Sequence, residues 1–254
     1  MSEWLALALA MAGACLVVVV VVLVRHRKSD RDEDTSETPD VIEYITMMIG
    51  VVYAIVLGLA IAGVWESRSA AQDDVQAEAQ SLHEVSARAE VFPADYRGVV
   101  EKDVDNYVSF VVNTEWHYMR THGEISPEGT ELLAKLRTDV AERAPQNDIE
   151  AQAYQAMMDK IAIADETRTS RGGNVGPTMP GVVWFGLVIG AVVTIGMLFA
   201  LQIGRSRREL ILAGTFSALI GFLLFLIWDF DDPFGRGVSV TTDPFLNLFP
   251  FLGS

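Results

Sequence analysis

Four long apolar blocks constrain this chain more than any other feature. They run from Trp4 to Val24, Val41 to Trp65, Val182 to Ile203 and Leu210 to Trp228. At about 1.5 Å per helical residue, each covers the roughly 30 Å of bilayer hydrocarbon. Lipid offers no partner to an open backbone, so each block is expected to be a transmembrane helix, including the strand-prone run Val17 to Val22. The implied fold class is all-α: a polytopic membrane protein with four spans and a helical segment between the second and third.

Short loops set the expected orientation, because basic residues are retained on the cytoplasmic side. Arg25, Arg27, Lys28 and Arg31 follow the first span, and Arg205, Arg207 and Arg208 separate the third from the fourth. Trp4, Trp65, Trp184 and Trp228 fall at the opposite span ends, at the level that amphipathic rings favour. Both termini and residues 66–180 are therefore expected outside the cytoplasm, in a cell membrane. A cleaved signal peptide is not expected, since the chain opens Met1-Ser2-Glu3 and stays apolar for too long. Cys15, the only cysteine, excludes an intrachain disulfide and reads as a buried residue.

The organisation reads as residues 1–40 (first span and cytoplasmic loop), 41–65 (second span), 66–180 (helical domain), 181–228 (a hairpin of spans) and 229–254 (a Pro/Phe-rich tail at the outer membrane surface). Residues 66–180 carry 21 acidic against 11 basic side chains, and the whole chain has a formal charge of −15, which leaves nucleic acid without electrostatic support. Four helices are expected in this domain. Val75, Ala79, Leu82, Ala89 and Phe92 continue the second span outward as an amphipathic helix as far as Pro93. Val100, Val104, Tyr107, Val111 and Tyr118 form the stripe of the next, ending at Gly123. Ser126-Pro127 caps a third over Leu132, Leu133, Leu136 and Val140, and Asn147 with Glu150 forms a capping box before Ile149, Ala153, Met157, Ile161 and Ala164. Gly172 to Pro180 reads as a hinge back to the membrane.

No ionisable residue lies near the middle of a span, which disfavours a proton relay. The most polar stripe is on the second span, where Thr46, Gly50, Tyr53 and Gly58, with Glu43 at the mouth, are the candidate pore lining. Gly186 and Gly190 in the third span, and Gly214, Ser217 and Gly221 in the fourth, are candidate helix-packing positions. Glu115, His117 and His122 resemble a loose metal cluster, but positions 115 and 117 diverge by about 200° on a helix, so no metal site is expected. Asp229, Asp231 and Asp232 read as a polar helix stop with a turn at Asp232-Pro233. Nucleophile elbow, P-loop, zinc-helix and dinucleotide motifs do not occur, so neither an enzyme nor a cofactor is expected.

Two spans, an acidic helical segment and two further spans form an ordered pattern with several short motifs. Tyr53-Ala54-Ile55-Val56-Leu57-Gly58 with Trp65, then Glu78-Ala79, Glu115-Trp116, Arg168, Arg171, Trp184 and Asp232-Pro233-Phe234-Gly235 resemble a bacterial membrane-protein family of unknown function labelled bestrophin-like, over roughly residues 41 to 245. The resemblance implies kinship with pentameric anion channels of four spans per subunit, hence a homo-oligomer in a lipid bilayer with inorganic ions as partners. It assigns no role to Trp65, Glu78, Glu115, Trp116, Arg168, Arg171, Asp232, Pro233 or Phe234; Glu115 and Trp116 are equally placed to lock two outer helices together. In bestrophins the large helical domain is cytosolic, whereas the charge bias here puts it outside. An oligomeric ion channel is the expected function. The alternative is a non-conducting sensor or scaffold whose acidic outer domain binds an envelope partner or divalent cations.

Overall fold

The computed structural model describes residues 40–200, 207–237 and 239–253. The first predicted span and the loop after it lie outside these residues. Among the described residues the structure is helical, without strands. It divides into two compact units, one drawn from residues up to 65 and 179–231, the other from residues 66–178 and 232–254.

The helix α1 runs from Asp40 to Ala89 and contributes to both units. In the first unit it is joined by α6 (Gly181–Ala200) and α7 (Arg207–Phe230). These three helices are long and apolar enough to cross a membrane, which agrees with the second, third and fourth predicted spans. Their apolar windows are only 11%, 22% and 28% buried, so Val52, Leu59, Val182 and Leu212 are offered outward as lipid-facing side chains are. The unit's own core is a narrow seam of Tyr53, Leu57 and Val64 with Leu187, Ala191, Ile195, Ala213, Ile220 and Ile227.

The second unit is built as a water-soluble domain is. Its helices are the outer part of α1, α2 (Ala94–Phe110), a π-turn (Val111–Glu115), α3 (Trp116–His122), α4 (Pro127–Ala141), α5 (Asp148–Gly173) and α8 (Asp243–Leu248). Both predicted caps are present: Ser126 Oγ accepts from the Glu128 N–H at 3.2 Å, and Asn147 Oδ1 from the Glu150 N–H at 2.9 Å. Gly123 ends α3 in the left-handed region at φ +74, where a side chain would be strained. The predicted stripe Val75, Ala79, Leu82, Ala89 and Phe92 is wholly buried.

The structure corrects three expectations. The helix predicted through Tyr118 is interrupted by the π-turn, whose extra residue rotates the helix beyond it, so Met119 is buried in place of Tyr118; Glu115, at the end of the π-turn, is buried too. Ile149 is exposed, because the capping box buries Glu150 instead. The tail, expected on the membrane surface, packs Phe234, Val240, Phe245 and Phe249 into this unit's core, since four large apolar side chains gain more by burial than by exposure.

Candidate functional site

The second unit encloses a cluster of charges that sequence spacing does not bring together. Glu78 comes from α1, Tyr107 from α2, Glu115 from the end of the π-turn, and Arg168 and Arg171 from one face of α5, three residues apart. All five are buried, with at most 2% of any residue exposed. Arg171 grips Glu78 with a two-pronged contact, Nε to Oε2 at 2.9 Å and Nη2 to Oε1 at 3.0 Å, and its Nη2 also donates to Glu115 Oε2 at 2.9 Å. Arg168 Nη2 donates to Glu115 Oε1 and to the Ser126 carbonyl, the latter at 2.9 Å. Tyr107 completes the set by donating its hydroxyl to Glu78 Oε1 at 2.6 Å, and the Ser126 N–H donates to Glu115 Oε1 at 3.1 Å.

Two carboxylates and two guanidiniums leave no net charge, so their mutual attraction and hydrogen bonds can offset the several kcal/mol that each ion loses on leaving water. Burial by itself would favour a neutral Arg171, but Glu78, Tyr107 and Glu115 outweigh it and raise its pKa further. Burial, reinforced by Glu78, pushes the Tyr107 hydroxyl well above the usual phenol range, so it stays protonated and donates. The space is tight. A Cβ on Gly129 would come within 2.6 Å of Glu115 Oε1, so α4 approaches the cluster only through a residue without a side chain.

The cluster extends to the tail through aromatic rings. The Arg171 guanidinium lies over the Trp116 ring at 5.4 Å, and Phe234 meets that ring edge-on at 5.6 Å. Asp232 Oδ1 accepts from the Gly235 N–H at 2.9 Å, the Pro233 carbonyl accepts from the Val240 N–H at 2.8 Å, and a Cβ on Gly235 would press within 2.7 Å of the Asp232 carboxyl carbon. Of the motif positions, Glu78, Glu115, Trp116, Arg168, Arg171, Asp232, Pro233 and Phe234 thus form one connected structure. Chemically it holds helices together, with each carboxylate facing a guanidinium, while Arg168 Nε is buried without a hydrogen-bond partner.

Sequence reading missed the roles of Tyr107, of Gly129 and of Met119, whose sulfur accepts from Arg171 Nη1 at 2.9 Å. Tyr107 was one ring in an apolar stripe, although a phenol fully inside a core needs a partner for its hydroxyl. Gly129 carried the only other signal, a glycine placed early in a helix. Glu115, His117 and His122 do not converge: Glu115 is sealed inside and both histidines point outward, with His122 stacked on Tyr118 at 4.1 Å. No group of three or more metal-ligating side chains occurs among the described residues.

In the apolar unit the predicted positions separate. Tyr53 is buried, donates its hydroxyl to the Leu187 carbonyl at 2.9 Å, and lays its ring where a Cβ on Gly190 would come within 2.6 Å. Gly190 therefore sits directly against that ring. Gly50, Gly58, Gly186 and Gly214 have open space beside them. At about 100° per residue, Thr46 lies on the same side of α1 as Tyr53, Leu57 and Val64, while Gly58 falls on the outward side. Ser217 and Gly221 are buried, and the Ser217 hydroxyl donates back to the Ala213 carbonyl at 2.9 Å. Glu43 stands on the first turn of α1. At one end of this unit Trp65 meets Phe230 edge-on at 5.4 Å, and buried Asp231 accepts from the Met179 N–H at 2.6 Å and from Trp184 Nε1 at 3.1 Å.

Apolar helices of spanning length joined in sequence to a charge-locked helical domain define a membrane protein of the all-helical class. The family model of the Bestrophin-like domain matches residues 12–245, and the chain belongs to that family. Its fold is similar to that of a bacterial bestrophin homologue from Klebsiella pneumoniae, with a TM-score of 0.71 at 13% identity over 97% of this chain and 98% of the other. A point variant of that homologue gives 0.70 at 13% identity over 97% and 99%. A crystal structure described as a membrane protein with a proline-to-alanine substitution gives 0.71 at 12% identity over 98% and 99%. No curated protein matches the chain by sequence.

Proposed function

We propose that the chain is one subunit of an oligomeric ion channel. The observation that carries this reading is membership of the Bestrophin-like family over residues 12–245, together with a fold shared along nearly the whole chain with bacterial bestrophin homologues. The largely open apolar faces of α1, α6 and α7 supply surface for both lipid and neighbouring subunits. The conduction path follows α1 on the side of Gly58, with Gly50 at its edge and Glu43 at its mouth, and Tyr53 fastens the side away from Gly58 to α6. The proposed topology has four spans, both termini and residues 66–180 outside the cytoplasm, and an aromatic belt at the outer interface. The contacts of Trp65 and Trp184 at one end of the apolar unit support such a belt.

Flux through the purified chain in liposomes tests this, with chloride compared against potassium and with empty liposomes as control. Selective flux that a Gly58→Val substitution alters is the expected result. An absence of flux across pH, voltage and calcium would overturn the channel and favour a non-conducting sensor or scaffold. Reporter fusions test orientation: activity after Ser29 only in the cytoplasm, and between Gly172 and Val175 only outside.

A further inference from the structure

The second unit carries a cavity of about 340 Å³ lined by α2 and by Lys135 of α4. Asp95, Gly98, Val99, Lys102 and Asn106 follow one another at steps of one, three and four residues, so one face of α2 forms its length. Asp103, one turn beyond Val99, completes the α2 side. The Asp95, Lys102 and Asn106 side chains make no hydrogen bond or ion pair among the described residues. Asp103 is 4% exposed, accepts from Lys135 Nζ on Oδ1 at 2.6 Å, and keeps Oδ2 buried without a hydrogen-bond partner. A buried acceptor left without a donor is a cost that a ligand's donor would remove. The terminal torsion of an aspartate is broad, so this oxygen can turn toward the cavity, and the half-exposed Lys135 side chain can follow the other.

Two carboxylates and two ammoniums line the cavity, and that balance selects the class of ligand. A polyphosphate would be repelled by Asp95 and Asp103, and a divalent cation by Lys102 and Lys135. Among the described residues no aromatic ring lines it, so a base or sugar has nothing to stack on. What fits is a small molecule of both signs: an ammonium for Asp103, and a carboxylate for Lys102 and Asn106, which stand side by side at i, i+4. Val99 is exposed beside these groups, and a Cβ on Gly98 would meet nothing within 4 Å, so the floor is apolar and open. We propose that this cavity binds the zwitterion of a small α-amino acid, its ammonium on Asp103, its carboxylate on Lys102 and Asn106, and its side chain over Gly98 and Val99. A volume of 340 Å³ is at the low end for ligand pockets and suits a molecule of this size. The site lies within the second unit and stands whether or not the chain conducts ions.

Equilibrium dialysis of labelled L-alanine against the full chain in detergent tests the proposal, with unlabelled alanine, propionate and ethylamine as competitors. Alanine should compete at least about tenfold better than propionate or ethylamine, since each of these lacks one charge-assisted contact. Lys102→Met and Asp103→Asn should each weaken alanine binding about tenfold. Gly98→Leu, whose added side chain enters open space on an exposed helix face, should abolish binding and leave the unfolding midpoint no lower than that of the native chain. Should Gly98→Leu fail to fold, Lys102→Met, at an exposed position, decides in its place. Alanine that does not bind the native chain, propionate or ethylamine that competes as well as alanine, or alanine binding unchanged in a folded Gly98→Leu or Lys102→Met chain overturns the proposal.

Discussion

The two units of this chain use opposite means to hold helices together. The unit formed by residues 66–178 and 232–254 buries four charged side chains in a cluster whose hydrogen bonds link α1, the π-turn and α5. The apolar unit closes on a narrow seam in which Tyr53 lies against Gly190. In water, apolar area drives collapse without fixing a register, and a paired charge supplies direction. In lipid, apolar area gives no preference for helix over solvent, so fit between a ring and a glycine does the selecting.

The largest effect should come from breaking the charge cluster. Arg171→Met leaves Glu78 and Glu115 short of a sealed partner and should cost about 3–5 kcal/mol, read as a fall in the unfolding midpoint of the purified chain. Adding Glu78→Leu to that variant should restore part of the loss, because no unpaired carboxylate remains at that position. A loss below about 1 kcal/mol for the single variant would mean that water enters the cluster.

A smaller effect is expected at the seam. Gly190→Ala forces the Tyr53 ring away and should cost about 1–3 kcal/mol, while Gly186→Ala, with open space beside it, should stay within about 0.5 kcal/mol. Unfolding in detergent measures both, and equal effects would remove the distinction drawn between these two glycines.

The smallest effect concerns a charge outside the cluster. Lys135 Nζ bridges Asp103 Oδ1 and Asp139 Oδ2, each at 2.6 Å, while Asp103 Oδ2 is buried with no hydrogen-bond partner. Burial, reinforced by Asp139, raises the Asp103 pKa above its ordinary 3.8, and the bonds from Asp103 and Lys135 lower that of Asp139. A raised carboxyl contributes stability that is complete below 3.8 and is lost as pH climbs through its folded value. Asp103→Asn supplies a donor at the unpaired oxygen, so it should flatten that fall and leave the chain no less stable at neutral pH. Denaturation midpoints from acid to neutral pH test this; a variant with an unchanged profile would show that the Asp103 pKa is the same in the folded and the unfolded chain.

Much of the helical order was legible from periodicity and caps. Ser126-Pro127, Asn147 with Glu150, and the run from Val75 to Phe92 state their structure within a few residues, because the forces that fix them act within one or two turns. The charge cluster was legible only as scattered motif positions. Glu78 and Arg171 are separated by 93 positions, and no local rule pairs them. The π-turn carried no sequence signal; Asn113 and Thr114 read as ordinary helix, and the rotation introduced there decides that Met119, not Tyr118, faces inward. The tail misled because Pro, Gly and Phe mark an irregular segment without naming the surface that receives it.

The place of Phe234 in the chain has a consequence for biosynthesis. Glu78 leaves the ribosome 93 residues ahead of Arg171, about 5–20 s at ordinary elongation rates, and through that interval its carboxylate must stay in water. Phe234, which covers Trp116, follows only after α6 and α7 have been made. The second unit therefore remains an unfinished client of the translation machinery until α7 and the segment after it have emerged, and a chain arrested before that point would expose an incomplete core to proteolysis.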